Sequence, residues 1–555
     1  MIAANPLLAP WDGPFGLPDF AAVEDAHFRP AFDAAIAEQE AEFEAIASNP
    51  APPDFENTIE ALERHGRLLG RVSAIFRSRA DAAADPAIQE IERDVFPRLA
   101  RIFSRQRTDP RMFRRIRAVA RTADGLDAER ARVLDLTLKA HVRAGAGLSR
   151  ADRDRMHEIM GRLSELGAAF SQTVLNDETD WSMTLGSDAL DGLPDVLVDA
   201  LRAEAGRRGV EGFAVTLARS SIEPFLAHSA RRDLRERAFR AWVGRGEAAN
   251  WPRIAEIVAL RHERARLLGF SSFAAFKLDA EMAQTPERVR DLLMAVWKPA
   301  KARAAGEAAD LEASAAGEGA NIRIEPWDWR HHAEKVRRAR HDLDEADIKP
   351  YLRLESVVDA AFDVASRLFG LSFEAVEVPL PHSDARAWEV RRDGAHVGLF
   401  IADYFARPSK RSGAWMGQLR AQQKLWSPGT PIVTNVCNFA RSDPCLLGWD
   451  DAATVFHEFG HALHGLLSDV THPMVSGTSV ARDWVELPSQ LYEHWLSTPD
   501  VLARHARHHE TGAPMPTEHV DGILAAETIN QGFRTVEYLA SALVDLEMHV
   551  LETVD

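Results

Sequence analysis

Through its first 300 residues the chain repeats one pattern, apolar side chains at three- and four-residue spacing behind residues suited to opening a helix. Asn57 and Glu60 have capping-box spacing, and Ile59, Leu62, Leu69, Val72 and Ile75 then recur on one face. Asp85-Pro86 pairs an N-cap residue with proline at the first helical position, leading into Ile88, Ile91, Val95 and Ile102. Helices of this kind bury one stripe against each other, so the fold class expected is mainly α. The composition agrees, because Ala, Leu, Arg and Glu dominate and only 4 Tyr occur in 555 residues. That length suggests roughly two to four structural units.

The texture changes near residue 386. Trp388 and Val390, then Asp393-Gly394, then Val397, Leu399 and Ile401 read as a β-hairpin with a tight turn. Residues 431–436 are another strand candidate, so a small sheet is expected just before the next helix. Residues 303–320, rich in Ala, Glu and Gly, read as a loop or weak helix.

Charge and the N-terminus narrow the function classes. The net formal charge of −18 argues against a nucleic-acid partner. The opening residues lack a basic region followed by an apolar core, and no apolar run is long enough to span a membrane. Cytoplasm is the expected compartment, with no membrane partner. The two cysteines, Cys437 and Cys445, read as free buried thiols.

One segment carries chemistry. His457 and His461 are one helical turn apart and face the same way, so both imidazoles can reach one ion, and Glu458 is placed to take a proton from a water that the ion activates. Spacing alone is weak, since the chain has 21 His, but Val455, Phe456, Phe459, Ala462, Leu463 and Leu466 suit a buried helix. Two imidazoles and a carboxylate there require partners. A catalytic zinc wants a third protein ligand. The three-histidine class is excluded, because His464 and Leu467 occupy its glycine and last-histidine positions. Glu486 is the candidate third ligand and Glu493 its competitor two turns on, and spacing does not choose between them. His505, His508 and His509 have one-turn spacing but read as a solvated helix end, and the adjacent His331 and His332 point apart. His464 reads equally as support for the metal cluster or as packing.

The stretch HEFGHALHG (457–465), followed by SGTSVARDWVELPSQLYEHW (476–495), resembles the thimet oligopeptidase-like zinc peptidases, the family of oligopeptidase A and the bacterial peptidyl-dipeptidases. The likeness runs along the chain through NPLL, FENTIEAL, PWDWR, IKPYL and GLFIADYFARPSKRSGAW, and leans toward the peptidyl-dipeptidases. It implies one zinc per chain held by His457, His461 and Glu486, with Glu458 as general base. It also implies a two-lobed helical clamshell around a deep channel, a monomer, and short peptides as substrates. Residues 1–220 would form an N-terminal helical region and 221–555 the peptidase region. Release of C-terminal dipeptides is the activity expected. Endo-acting cleavage, an inactive zinc-containing peptide-binding scaffold and hydrolysis of another bond are the alternatives. Substrate backbone adding to an edge of the small sheet is a further expectation.

The chain departs from the family near its end. It has no Gly-Gly pair, and Tyr351, Tyr404, Tyr492 and Tyr538 lie in no Gly- and Tyr-rich loop of the kind that stabilises the oxyanion in the family. The apolar periodicity of Leu539, Leu543, Leu546 and Val550 runs toward the last residue. The expectation is therefore a C-terminally shortened, weakly active or unstable family member.

Overall fold

The structure is a computed structural model that describes residues 5–83, 85–340, 345–526 and 528–553. The chain forms two compact units, one from Met1–Leu148 with Asp344–Val520 and the other from Ser149–Leu343 with Asp521–Asp555. This is a division by packing, whereas the expected partition at residue 220 is one along the sequence that the family resemblance implies. Both units are mainly helical, as the periodicity requires.

The first unit opens with α1 (Phe28–Ala47), α2 (Arg67–Ala82) and α3 (Pro86–Arg107), which bury Phe28, Phe32, Val72, Phe76, Ile88 and Val95 against each other. Asp85 caps α3 as expected, its carboxylate accepting from the backbone N–H groups of Ala87 and Ile88. The expected helix from Asn57 is different. Its cap is Asp54, held extended after Pro52-Pro53, which exchanges hydrogen bonds with Asn57. Gly66 then takes a left-handed conformation (φ 70°) and separates that turn from α2.

A further helix, α4 (Leu354–Phe369), precedes a five-stranded sheet of β1 (Leu371–Ala375), β2 (Arg386–Arg392), β3 (Ala395–Phe405), β4 (Trp415–Arg420) and β5 (Ile432–Phe439). The strand order is β1-β2-β3-β5-β4, parallel only between β3 and β5. The β2–β3 hairpin turns at Asp393 (φ 51°) and Gly394 (φ 77°), the two positive angles a two-residue turn needs, and pairs Trp388 with Phe400. β3 is buried from Gly398 to Phe405 on both faces, which is why Leu399-Phe400-Ile401-Ala402 does not alternate. Leu399 and Ile401 pack with Leu17 and Ala74 on one side. Phe400 faces Phe362 of α4 and Phe459 on the other. β4 is an edge strand, with β5 as its neighbour. Cys437 and Cys445 are free and buried.

The second unit is built from long helices, among them Arg150–Asp180, Pro286–Gly317 and Gln531–Val550, with one two-stranded ladder pairing Ser182–Leu185 and Phe213–Thr216. Residues 303–317, expected as loop or weak helix, continue the helix from Pro286. Alanine favours it, and the helix ending at Val550 packs on it so closely that a Cβ on Gly532 would stand 2.5 Å from Ala304 N. The apolar periodicity toward the chain end is helical only to Val550; Val554 and Asp555 lie outside the described residues. Within this unit Trp329 stacks on Phe533, and Asp328, fully buried, pairs with Arg232 and Arg235. No described helix is long and apolar enough to cross a membrane.

Candidate metal centre

The helix carrying the motif, α5 (Trp449–Leu466), follows the sheet directly and starts with Asp450 and Asp451 in its first turn, where carboxylates suit the helix dipole. Its apolar side is anchored through Phe459, which meets Phe362, Phe373, Phe400 and Tyr492. The opposite side presents His457 and His461, with ring centroids 4.9 Å apart.

A second helix, α6 (Leu487–Leu496), crosses α5 at Gly460. A Cβ there would stand 2.6 Å from Ser489 Cα and 2.9 Å from Pro488 O, so glycine permits the approach. Tyr492 ties α6 to α4 by donating to Ala361 O at 2.6 Å. This crossing brings Glu486, just before α6, onto the histidines. Glu486 Oε2 lies 3.3 Å from His457 Nε2 and 3.1 Å from His461 Nε2. Ser489 Oγ donates to the same carboxylate oxygen at 3.1 Å and holds it there.

Glu493 takes the other side of His457, with Oε1 2.5 Å from Nδ1. A carboxylate only accepts, so Nδ1 carries a proton and Nε2 is the ring nitrogen that faces Glu486. The sequence offered Glu486 and Glu493 as rivals. The structure separates them, one on the Nε2 atoms and one behind His457. Neither Ser489 nor the spacing role of Gly460 was visible in the sequence.

His457, His461 and Glu486 are a group able to hold a metal ion. Ligand atoms bound to one tetrahedral zinc at about 2.0–2.2 Å stand about 3.3–3.6 Å apart, close to the separations measured here. The donor set of two imidazoles and one carboxylate fits zinc.

Glu458 lies on the same helix, buried, and its Oε2 has no hydrogen-bond partner among the described residues. Burial raises its carboxyl to about 7, with the Glu486 charge adding to the rise and His457 opposing it. Burial likewise lowers His461, against the pull of Glu486. His464 has no partner for Nδ1 among the described residues, and burial lowers it too.

The other histidines separate. The helix Pro499–His505 ends before His508, so the one-turn spacing does not persist; His505 faces Asp363 at 3.3 Å. His508, His509 and Glu510 form a second, looser group in the turn that follows. His331 and His332 stand nearly perpendicular, with His331 Nδ1 3.1 Å from Ala227 O.

Comparison with known proteins gives this geometry a family. The chain is 38% identical over 567 residues to dipeptidyl carboxypeptidase of Escherichia coli, covering 100% of this chain and 83% of that protein. It is 36% identical to dipeptidyl carboxypeptidase of Salmonella typhimurium, covering 99% of this chain and 83% of that protein. Oligopeptidase A of Salmonella typhimurium is 32% identical, over 98% of this chain and 82% of that protein. The sequence profile of peptidase family M3 matches residues 225–555, which include both histidines, both glutamates and the sheet before them. The chain therefore belongs to peptidase family M3 and is a metallopeptidase.

Proposed function

We propose that this peptidase uses one zinc ion, held by His457, His461 and Glu486, to hydrolyse short oligopeptides, releasing dipeptides from their C-termini. The observation that carries the reading is the convergence of both Nε2 atoms on Glu486 Oε2 beside the buried, unpartnered Glu458. The higher identity to dipeptidyl carboxypeptidase than to oligopeptidase A supports dipeptide release.

When bound, the zinc supplies Lewis acidity that polarises the peptide carbonyl and acidifies the attacking water. The protein's own groups do the rest. Glu458, whose proton affinity burial has raised, accepts the proton of the attacking water and delivers it to the leaving amine. Glu493 holds His457 in the tautomer that leaves Nε2 free, and Ser489 fixes Glu486. Substrate backbone adds to the free edge of β4, whose Met416 and Gln418 side chains reach Gly465 of α5.

The test combines metal analysis with product analysis. One zinc per chain is expected in both wild type and Glu458→Gln, with turnover lowered at least about a hundredfold in the variant. Mass spectrometry of digests should show dipeptides from a peptide with a free C-terminus and none from its amide. Internal cleavage of the amide would favour endo-acting cleavage. Zinc without turnover, unaffected by the substitution, would favour a binding scaffold.

A further inference from the structure

Behind the sheet, away from α5, the first unit contains a cavity of about 850 Å³ between α2 and β4. Met416 and Gln418 of β4 turn toward Gly465 of α5, and Gly417 turns toward Thr434 on the other face, where the cavity lies. Its charges do not balance locally. Three lining carboxylates are already engaged: Asp81 pairs with Arg411, Asp403 with Arg407 and Lys410, and Glu63 accepts from the backbone of Met474. Three lining arginines of α2 are not. Arg67, Arg71 and Arg77 make no ion pair among the described residues, although Glu38 and Asp81 attract Arg71 and Arg77 through space.

Among the lining residues Gln418 Nε2 and the acceptor Asn435 Oδ1 are buried without a hydrogen-bond partner among the described residues, and so are two further donors, Arg71 Nε and Trp11 Nε1. An unpaired guanidinium at a partly buried position beside a like charge is costly, and burial together with Arg67 lowers the proton affinity of Arg71. Tryptophans supply aromatic surface to the wall. Trp415 and Trp426 both line it, and the Arg67 guanidinium sits 4.8 Å from the Trp426 ring centroid. Arg67 and Arg77 are exposed and Arg71 is half-buried, so in a protein with a net charge of −18 the three guanidiniums offer a local positive field to an anion entering the cavity.

We propose that the cavity between α2 and β4 binds a small organic anion, its carboxylate or phosphate held by Arg67, Arg71 and Arg77 and its aromatic or apolar body lying against the tryptophans. Guanidinium forks suit either oxyanion. The volume exceeds what a bare inorganic ion fills and is within the range of small-molecule sites. The site is distinct from the candidate metal centre, since none of His457, Glu458, His461 and Glu486 lines the cavity.

The test is direct binding to the full chain, by calorimetry and tryptophan fluorescence, of phenyl phosphate, benzoate and inorganic phosphate. Phenyl phosphate or benzoate should bind more tightly than inorganic phosphate, and whichever of the two is tighter identifies the anionic group. Arg71→Gln should weaken binding by about tenfold or more, and Arg71→Lys by less. Arg67→Gln should also weaken it. Because Arg71 makes no hydrogen bond or ion pair that the fold depends on, the melting temperature of these variants should stay near wild type. Binding should survive removal of metal with EDTA. Absence of binding at about 10 mM of any probe, equal affinity in Arg71→Gln, or loss of binding with EDTA would each overturn the proposal.

Discussion

Gly460 sets the separation of the two helices that carry the candidate metal ligands, and Gly460→Ala isolates that role. Alanine should help α5 as an isolated helix by up to about 1 kcal/mol. In the fold its methyl carbon would stand 2.6 Å from Ser489 Cα, 2.9 Å from Pro488 O and 3.0 Å from Tyr492 Cβ. The first two contacts are backbone and cannot rotate away. Ordinary carbon contacts lie at about 3.5–4.0 Å, so the start of α6 must withdraw by about 1 Å. Overpacking of this kind costs about 1–3 kcal/mol, which the helix propensity partly offsets. Stability should therefore change by no more than about 2 kcal/mol. The metal should suffer more. Ligand distances tolerate about 0.2 Å, and Glu486, carried by the start of α6, would move several times that. Zinc affinity should fall at least as far as for loss of a supporting contact, about 10–100-fold, or about 1.4–2.8 kcal/mol. Competition with a chromophoric chelator measures the affinity, and circular dichroism on the same samples reports the helices. A Gly460→Ala protein that binds zinc like wild type would refute the reasoning. Loss of affinity with unchanged helix content would support it.

Other perturbations test neighbouring parts of the structure. Glu493→Gln replaces the carboxylate behind His457 Nδ1 and should weaken zinc binding by about 10–100-fold while leaving the ligands in place, read by the same competition. Asp328→Ala strips Arg235, itself only 2% exposed, of its carboxylate and should destabilise the second unit by about 3–5 kcal/mol, visible as faster hydrogen exchange in the helices that carry Arg235 and Asp328. Burial lowers His331 from 6.5 to about 4, so the fold holds it neutral while the unfolded chain takes up a proton as pH falls through 6.5. Stability should therefore drop between pH 6.5 and about 4 and level below that, by at most about 3 kcal/mol, and His331→Asn should lack this component in urea titrations; equal pH slopes for the two proteins would count against it.

Much of the fold was readable from local pattern. The Asp85-Pro86 cap, the Asp393-Gly394 turn and the strand at 432–439 all appear where residue chemistry places them, because caps and tight turns depend on a few consecutive residues. The misreadings occur where packing overrides local preference. An alanine-rich stretch without clear periodicity is helical at 303–317 because a partner helix lies against it, and the apolar stripe from Ile59 to Ile75 is interrupted at Gly66.

The metal cluster divides the same way. His457 and His461 share a face that a helix imposes wherever it lies, with Glu458 beside them, so the sequence by itself determined that local arrangement. Which of Glu486 and Glu493 lies against the Nε2 atoms depends on how α5 and α6 cross, which Gly460 and Tyr492 fix together with the elements packed on them. The uncommitted arginines of α2 are of the same kind. Their spacing is ordinary for a surface helix, and only the placement of β4 and of the already paired carboxylates leaves them without an ion-pair partner among the described residues. Local periodicity can be read from a chain one turn at a time, whereas a ligand set or a charge balance is a property of elements far apart in sequence that meet only when the core closes.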